Sequence, residues 1–469
     1  MGMASLIFYD SILFVFFLVV AFLFISWVSR KYSLGGYPKL FLWLYTLCSF
    51  SSYNIMVKPI HDYNLAIPRT FIYHFKVIGP LAPIDIAFLA LLLVVFLKKF
   101  SSGHFRTFEM DKISSGIIKI IILQAIFLGL ISTIGFITYY NNGGIGTWND
   151  QIIYCRGIIY FFVLVYIFQQ SIKKFKSLNF LTLLSIFCAL DIINFFSGLM
   201  SSFIFTDYVW DRYGVKITII DQDKIYNYFT MYAMLIISYL FVRPARNVFV
   251  YFTIIVIGCF IFINIYKYIY AVAIIYVIYE VVVNAIRGRL AVFKIALFSI
   301  AGVALISVIL MLSTSKAINT RSSQLTDYWE YTGSKFPAVL FGIGYGGKFY
   351  SPTETDDLGE VKEIDTETGT PNYRKSVQTP LVTNIKSGGT VGLIVAILFA
   401  LLSFLYIFRL NLSFPINPIS NAICFNIILL MGSTSVILQP YIMPALALIK
   451  LLIILTVYIV NLDKKELPS

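Results

Sequence analysis

The chain has 469 residues, of which 59% are hydrophobic and only 13% are charged, and its mean hydropathy is +0.84. This composition excludes an ordinary soluble globular protein and predicts a polytopic membrane protein. The formal net charge of +13 does not indicate a nucleic-acid partner, because the lysines and arginines cluster in short loops between apolar stretches. The five cysteines stand singly inside apolar runs, so neither a metal site nor a disulfide framework is predicted.

The apolar stretches predict an all-α bundle of about 12 to 14 transmembrane helices, since a span needs about 20 mostly apolar residues. The first stretch is too long for a signal-peptide core and lacks a small-residue cleavage site, so we expect a retained anchor. An alternative for the weakly apolar stretch 58–79 is a re-entrant segment. The candidate spans lie near 5–29, 40–57, 80–97, 115–139, 151–172, 178–200, 225–243, 247–264, 267–286, 291–312, 389–409, 417–438 and 440–461.

One long polar segment, 313–387, interrupts this series of spans. The predicted organisation is therefore a transmembrane bundle over 1–312, a large external loop over 313–387 that contains short helices, and C-terminal spans over 388–469. A protein that only moves solutes needs no such insert, whereas an enzyme that acts on a water-exposed head group does.

Basic residues in alternate loops set the predicted orientation. The positive-inside rule assigns these loops to the cytoplasmic side, so the loop 140–150 and the insert 313–387 are expected on the outer face. The basic clusters are Arg30 with Lys31, Lys98 with Lys99, Lys173 with Lys174 and Lys176, Arg243 with Arg246, Arg287 with Arg289, Arg409, and Lys464 with Lys465.

Four cations from separate elements are predicted at a similar depth near the outer face: Arg156, Arg212, Lys267 and Arg321. One interpretation is structural, with side chains that snorkel to phospholipid head groups and with Arg156 paired to Asp191. The other is an electropositive pocket for a diphosphate, because arginine suits bidentate contact with phosphate oxygens.

The insert divides into parts with different expected structures. Residues 319–331 predict a short amphipathic helix that carries Asp327 and Glu330. The run 342–347, with glycine at four positions, predicts either tight turns or a phosphate-binding loop. Residues 352–375 predict a flexible external loop, and 376–388 a second short helix that leads through glycines into the next span.

The order of these residues resembles the O-antigen polymerase and O-antigen ligase superfamily over about residues 205–400. The resemblance lies in Arg321, Trp329, Pro337, the glycines at 342, 344 and 346, and the run Gly389-Thr-Val-Gly392 that opens a span. Asp211, Arg212 and Gly214 are similar to an arginine-containing external loop of that superfamily. Lys267 stands where many members have arginine, so the cation changes but the charge does not.

The resemblance implies a glycosyltransferase of the bacterial inner membrane that works on its periplasmic face. The sequence suggests no cofactor, metal or nucleotide. The substrates of such an enzyme would be undecaprenyl-diphosphate-linked oligosaccharides, and a chain-length regulator would be a further partner. The four cations would stabilise the departing diphosphate, and Gly344 and Gln378 would contact substrate. Asp327 or Glu330 would activate the attacking hydroxyl. The alternative is a structural role, in which these carboxylates pair with Arg321 or lie exposed on the helix.

Gln378 departs from the ligase pattern. Ligases of this superfamily have a histidine about eleven residues before the glycine equivalent to Gly389, and glutamine cannot serve there as a general base. The sequence therefore favours the polymerase branch. The alternatives are an O-antigen ligase that transfers polysaccharide to lipid A–core and, in another class, a lipid-linked oligosaccharide flippase.

Overall fold

A computed structural model describes parts of the chain, and those parts are mostly helical. The described residues, excepting 80, 213, 214 and 334, fall in 3–51, 77–102, 112–175, short pieces of 178–200, 210–217, 315–351, 363–364, 371–374 and 380–412. The predicted all-α membrane protein is confirmed at this coarse level. The number of spans and the side of the insert stay predictions, and the spans expected at 225–312 and 417–461 lie outside the described residues.

Long helices stand at predicted apolar stretches. They are α1 (Met3–Lys31), α2 (Gly36–Ser51), α3 (Pro83–Ser102), α4 (Lys112–Asn141), α5 (Trp148–Phe175) and α8 (Pro380–Leu412). Within the described part of the chain, three segments are long and apolar enough to cross a membrane: Phe8–Lys31, Lys119–Asn141 and Asn384–Ser403. The stretch expected to span at 178–200 is described only as short helical pieces.

A tight connection joins α4 to α5. Gly143 has φ of 77° and closes the turn after α4. The Thr147 hydroxyl then caps α5, because it accepts a hydrogen bond from the Asp150 amide at 3.3 Å and donates to the Asp150 carboxylate at 2.7 Å. The two helices therefore turn back on each other within a few residues.

Helices α4 and α8 pack antiparallel. The Phe127 and Phe399 rings lie 6.1 Å apart, while Ile131 lies against Gly388 and Gly116 against Tyr406. Residues nearer the C-terminus of α4 therefore contact residues nearer the N-terminus of α8. The C-terminal end of α4, the start of α5 and the start of α8 consequently meet at one end of the helices.

The insert contributes two short helices and three strands. They are α6 (Ser315–Gly333), α7 (Phe336–Phe341), β3 (Phe349–Tyr350), β4 (Glu363–Ile364) and β5 (Pro371–Arg374). The strands form one antiparallel sheet in the order β3-β5-β4. The prediction of a loop throughout 352–375 is wrong at β4 and β5. There, β5 pairs with both β3 and β4, so backbone groups that the polar composition assigns to water are satisfied within the sheet.

A bend in α8 connects the insert to the membrane helix. Gly389 interrupts the helix with φ of 62° and ψ of −159°, and its Cα faces the backbone of Leu340 at close range. A side chain at this position would clash with that backbone. The predicted short helix that passes through glycines into a span is confirmed in this form.

A separate two-stranded sheet precedes the insert in the chain. Strands β1 (Trp210–Arg212) and β2 (Val215–Ile217) pair antiparallel, with Arg212 opposite Val215. Arg212, which the resemblance places in an external loop, therefore lies on β1.

Candidate functional site

The glycine-rich loop 342–348 lies where the insert meets the common end of α4, α5 and α8. Its residues are buried, and Gly342 and Gly344 have φ of 72° and 70°. A Cβ on Gly344 would clash with Phe136 of α4, and one on Gly342 would stand 2.5 Å from the Lys386 carbonyl oxygen. Both the backbone conformation and the close packing therefore require glycine.

Gln151, one turn into α5, holds the centre of this loop. Its Oε1 accepts hydrogen bonds from the Tyr345 amide at 2.8 Å and the Gly346 amide at 3.0 Å. Its Nε2 donates to the Ser132 hydroxyl of α4 at 3.2 Å. Because Gln151 is 2% exposed, one side chain ties the loop to two helices in a dry environment.

Lys386, before the bend of α8, holds the other side of the loop. Its Nζ donates to the Tyr345 carbonyl at 2.9 Å, and its own carbonyl accepts from the Ile343 amide at 2.8 Å. Lys386 is 2% exposed. The Thr390 hydroxyl adds a bond to the Val339 carbonyl at 2.7 Å, so α8 contacts both α7 and the loop.

Tyr139, near the end of α4, closes the loop at Lys348. Its hydroxyl donates to the Lys348 carbonyl at 2.6 Å and lies 2.9 Å from the Tyr331 hydroxyl. Since a phenol has one proton, Tyr331 is the donor in the second bond. The Lys335 ammonium stands 3.8 Å from the centre of the Tyr331 ring and covers this pair.

The carboxylates of α6 have different surroundings. Asp327 is 5% exposed and accepts a hydrogen bond from the Ser351 hydroxyl at 2.5 Å, which joins α6 to the end of β3. Glu330 follows Asp327 by three residues and so lies on a neighbouring part of the helix surface, but it is exposed. Position 321 lies nine residues before Glu330, which is two and a half turns, so the helix places these two positions on opposite sides.

Tyr328 anchors α6 to the start of α8. It packs edge-on against Phe349, with ring centroids 5.4 Å apart, and its hydroxyl donates to the Ile385 carbonyl at 3.3 Å. Burial raises the pKa of the Tyr328 hydroxyl, so it remains a neutral donor at physiological pH.

Asp327 and Glu330 lie on α6, whose Tyr328 packs against Phe349 next to the glycine-rich loop that holds Gly344. The roles of these three residues, like those of the other site residues, stay predictions. Arg156 lies on α5 about two turns from Trp148, and Arg212 lies on β1. Lys267 and Gln378 lie outside the described residues. A shared cationic pocket stays a prediction.

The amides around Gly344 bear on its predicted role in substrate binding. The Gly342, Ile343, Tyr345, Gly346 and Lys348 amides all donate to groups of the protein itself. This geometry favours the alternative in which the glycines form tight turns. Contact between Gly344 and substrate is not shown.

Sequence reasoning missed Gln151, Ser132, Tyr139 and Lys386, the residues that hold the loop. The only local signal was the Thr147–Asp150 cap, which marks the start of α5 and hence the position of Gln151 one turn later. Among the described residues, no group of three or more His, Cys, Asp or Glu could hold a metal ion.

Comparisons with known proteins give no assignment. No family model, curated protein or solved structure matches this chain.

Proposed function

We propose that the protein is a membrane glycosyltransferase that polymerises undecaprenyl-diphosphate-linked oligosaccharide repeat units on the periplasmic face of the bacterial inner membrane. The observation that carries this proposal is the folded insert at one end of the membrane-length helices α4 and α8. Both ends of the insert, which also carry the superfamily-like residues, pack there around the glycine-rich loop. A mere linker between spans needs no buried, hydrogen-bonded core of this kind.

The reaction joins two lipid-linked substrates. A sugar hydroxyl of one repeat unit attacks the anomeric carbon of the other chain and forms the new glycosidic C–O bond. The bond to undecaprenyl diphosphate breaks, and the diphosphate leaves with the electron pair. Because this leaving group is already good, the protein has mainly to position the substrates and stabilise the negative charge. We assign that electrostatic role to Arg212, Lys267, Arg156 and Arg321, of which Arg321 acts from the side of α6 opposite Glu330.

Glu330 fits the role of general base better than Asp327. A base must come within about 3 Å of the hydroxyl that it deprotonates. Glu330 is exposed on α6 and open to substrate, whereas Asp327 is buried and bonded to Ser351. We therefore propose that Glu330 takes the proton and that Asp327 fixes α6 against β3.

Deletion of the gene in the native bacterium, followed by complementation, tests this function. A strain without the polymerase should show core bearing a single repeat unit on a polysaccharide gel, and the wild-type gene should restore the ladder. Arg321→Ala should fail to restore it. Lys316→Ala, at another cation of the same helix, is the matched control and should restore the ladder.

The same gel separates the alternatives. Loss of all repeats from the core, with lipid-linked polymer retained at the outer face, would identify a ligase. Accumulation of lipid-linked repeats on the cytoplasmic side would identify a flippase. A normal ladder with Arg321→Ala would remove that residue from the mechanism.

A further inference from the structure

The glycine-rich loop packs against the side of the membrane-length helix α4, not beyond the end of that helix. Tyr140 and Trp148 are exposed at the level where α4 ends and α5 begins, and aromatic side chains of these types are enriched at membrane interfaces. The carbonyl of Phe341 contacts Gly135, and Gly344 contacts Ser132. Ser132 is seven residues before Tyr139, which corresponds to about 10 Å along the helix.

Helix α7 leads from that level to the loop. At its start, the Lys335 ammonium lies 5.8 Å from the centre of the Tyr139 ring. At its end, Phe341 reaches Gly135, one turn further from the end of α4. Every residue from Phe336 to Phe341 is apolar, and Phe336 is 74% exposed. A six-residue apolar helix with its outermost ring uncovered suits contact with lipid better than contact with water.

The burial and hydrogen bonds of the loop suit such a location. In a bilayer, non-helical backbone is tolerated where it is buried in protein or lines a water-filled cavity. The loop residues 342–348 are buried, and the amides of Gly342, Ile343, Tyr345, Gly346 and Lys348 have the protein partners described above. On the carbonyl side, Val339 accepts from Thr390, Tyr345 from Lys386, Gly346 from the Thr147 amide and Lys348 from Tyr139.

We propose that residues 336–347 form a re-entrant segment, which enters the outer leaflet through α7 and turns back through the glycine-rich loop. Phe336 contacts acyl chains, and Gln151 and Lys386 supply the polar partners that hold the turn below the membrane surface. This placement does not depend on the glycosyltransferase activity, and it differs from the expected position of the whole insert in water.

Photo-crosslinking to lipid tests the placement in the full-length chain. p-Benzoylphenylalanine would replace Phe336 in protein reconstituted in phosphatidylethanolamine and phosphatidylglycerol vesicles, and lipid adducts would be measured by mass spectrometry of the protein. Leu398, exposed on α8, is the positive control, and Tyr350, an exposed aromatic residue on β3, is the matched negative control. All three side chains are exposed, and the only ring contact among them is the edge-on packing of Tyr350 against Tyr373, which another aromatic side chain can retain.

We expect lipid adducts at Phe336 and Leu398 in comparable yield, and at least tenfold fewer at Tyr350. Adducts at Leu398 without adducts at Phe336 would overturn the proposal, as would equal yields at Phe336 and Tyr350. Failure to label Leu398 would also overturn it, because α8 would then not lie in lipid. None of these results bears on the polysaccharide ladder, so the two proposals can fail separately.

Discussion

The glycine-rich loop and the carboxylate side of α6 lie in the same insert but differ in what surrounds them. The loop has buried glycines, positive φ values and amides that donate to protein groups. Helix α6 presents one carboxylate that is bonded to Ser351 and another that is exposed. From the sequence, both segments were candidates for substrate binding or catalysis. We therefore expect mutations in the glycine-rich loop to reduce stability and mutations at the exposed carboxylate of α6 to reduce activity.

The largest loss of stability is expected for Gly344→Ala. The new Cβ would clash with Phe136 and require a left-handed backbone, so we expect a loss of about 4 kcal/mol or more. Thermal unfolding in detergent, followed by size-exclusion chromatography, measures this loss. Gly333→Ala is the control, because no atom lies within 4 Å of its Cβ position, and its midpoint should stay unchanged. A stable Gly344→Ala protein would contradict the tight packing of the loop.

Gln151→Leu should have the next largest effect. It removes the acceptor for the Tyr345 and Gly346 amides, and a buried unsatisfied donor costs about 1 to 3 kcal/mol. We expect a loss of about 2 to 4 kcal/mol, again from the unfolding midpoint. Gln151→Glu retains an oxygen acceptor at the same reach and should recover part of the loss. Equal midpoints for the wild type and Gln151→Leu would show that Gln151 does not hold the loop.

Ser351→Ala should have a smaller effect that separates stability from activity. It removes the hydroxyl bonded to Asp327, and a hydrogen bond to a charged group contributes about 1.5 to 3 kcal/mol. The midpoint should fall while the polysaccharide ladder persists at permissive temperature. Ser322→Ala, at an exposed site on α6, serves as the control. Complete loss of the ladder with Ser351→Ala in folded protein would instead place Asp327 in the chemistry.

Glu330→Gln should change stability least and activity most. An exposed carboxylate on a helix typically contributes within about 0.5 kcal/mol. Removal of the proposed base should nevertheless lower the rate by about 100-fold or more and shorten or abolish the ladder. Membrane protein levels and gel patterns provide the two measurements. A wild-type ladder with Glu330→Gln would assign the proton transfer to another group.

Hydropathy was sufficient to predict where several long helices lie, but not how they pack against one another. The apolar stretches near 5–29, 115–139 and 151–172 became α1, α4 and α5, because burial from water dominates such segments. The bend at Gly389 could also be anticipated, since glycine ahead of a span permits it.

Long-range partners were beyond the reach of the sequence. Gln151 and Tyr345 are 194 positions apart, and nothing in either local pattern links them. The strands β4 and β5 were missed for the same reason, because their polar composition resembles that of a loop, and only their pairing with each other and of β5 with β3 makes them strands. The environment of Asp327 likewise depends on a distant partner, since Ser351 lies 24 positions away.

Reconstitution provides the most direct test of the proposed function. Purified protein in vesicles would receive undecaprenyl-diphosphate-linked repeat units from the native bacterium, without nucleotide or added metal. We predict a ladder of lengthened lipid-linked chains with the wild type and none with Glu330→Gln. Repeat units that cross the membrane but remain single, or that lengthen only when lipid A–core is supplied as acceptor, would contradict the polymerase.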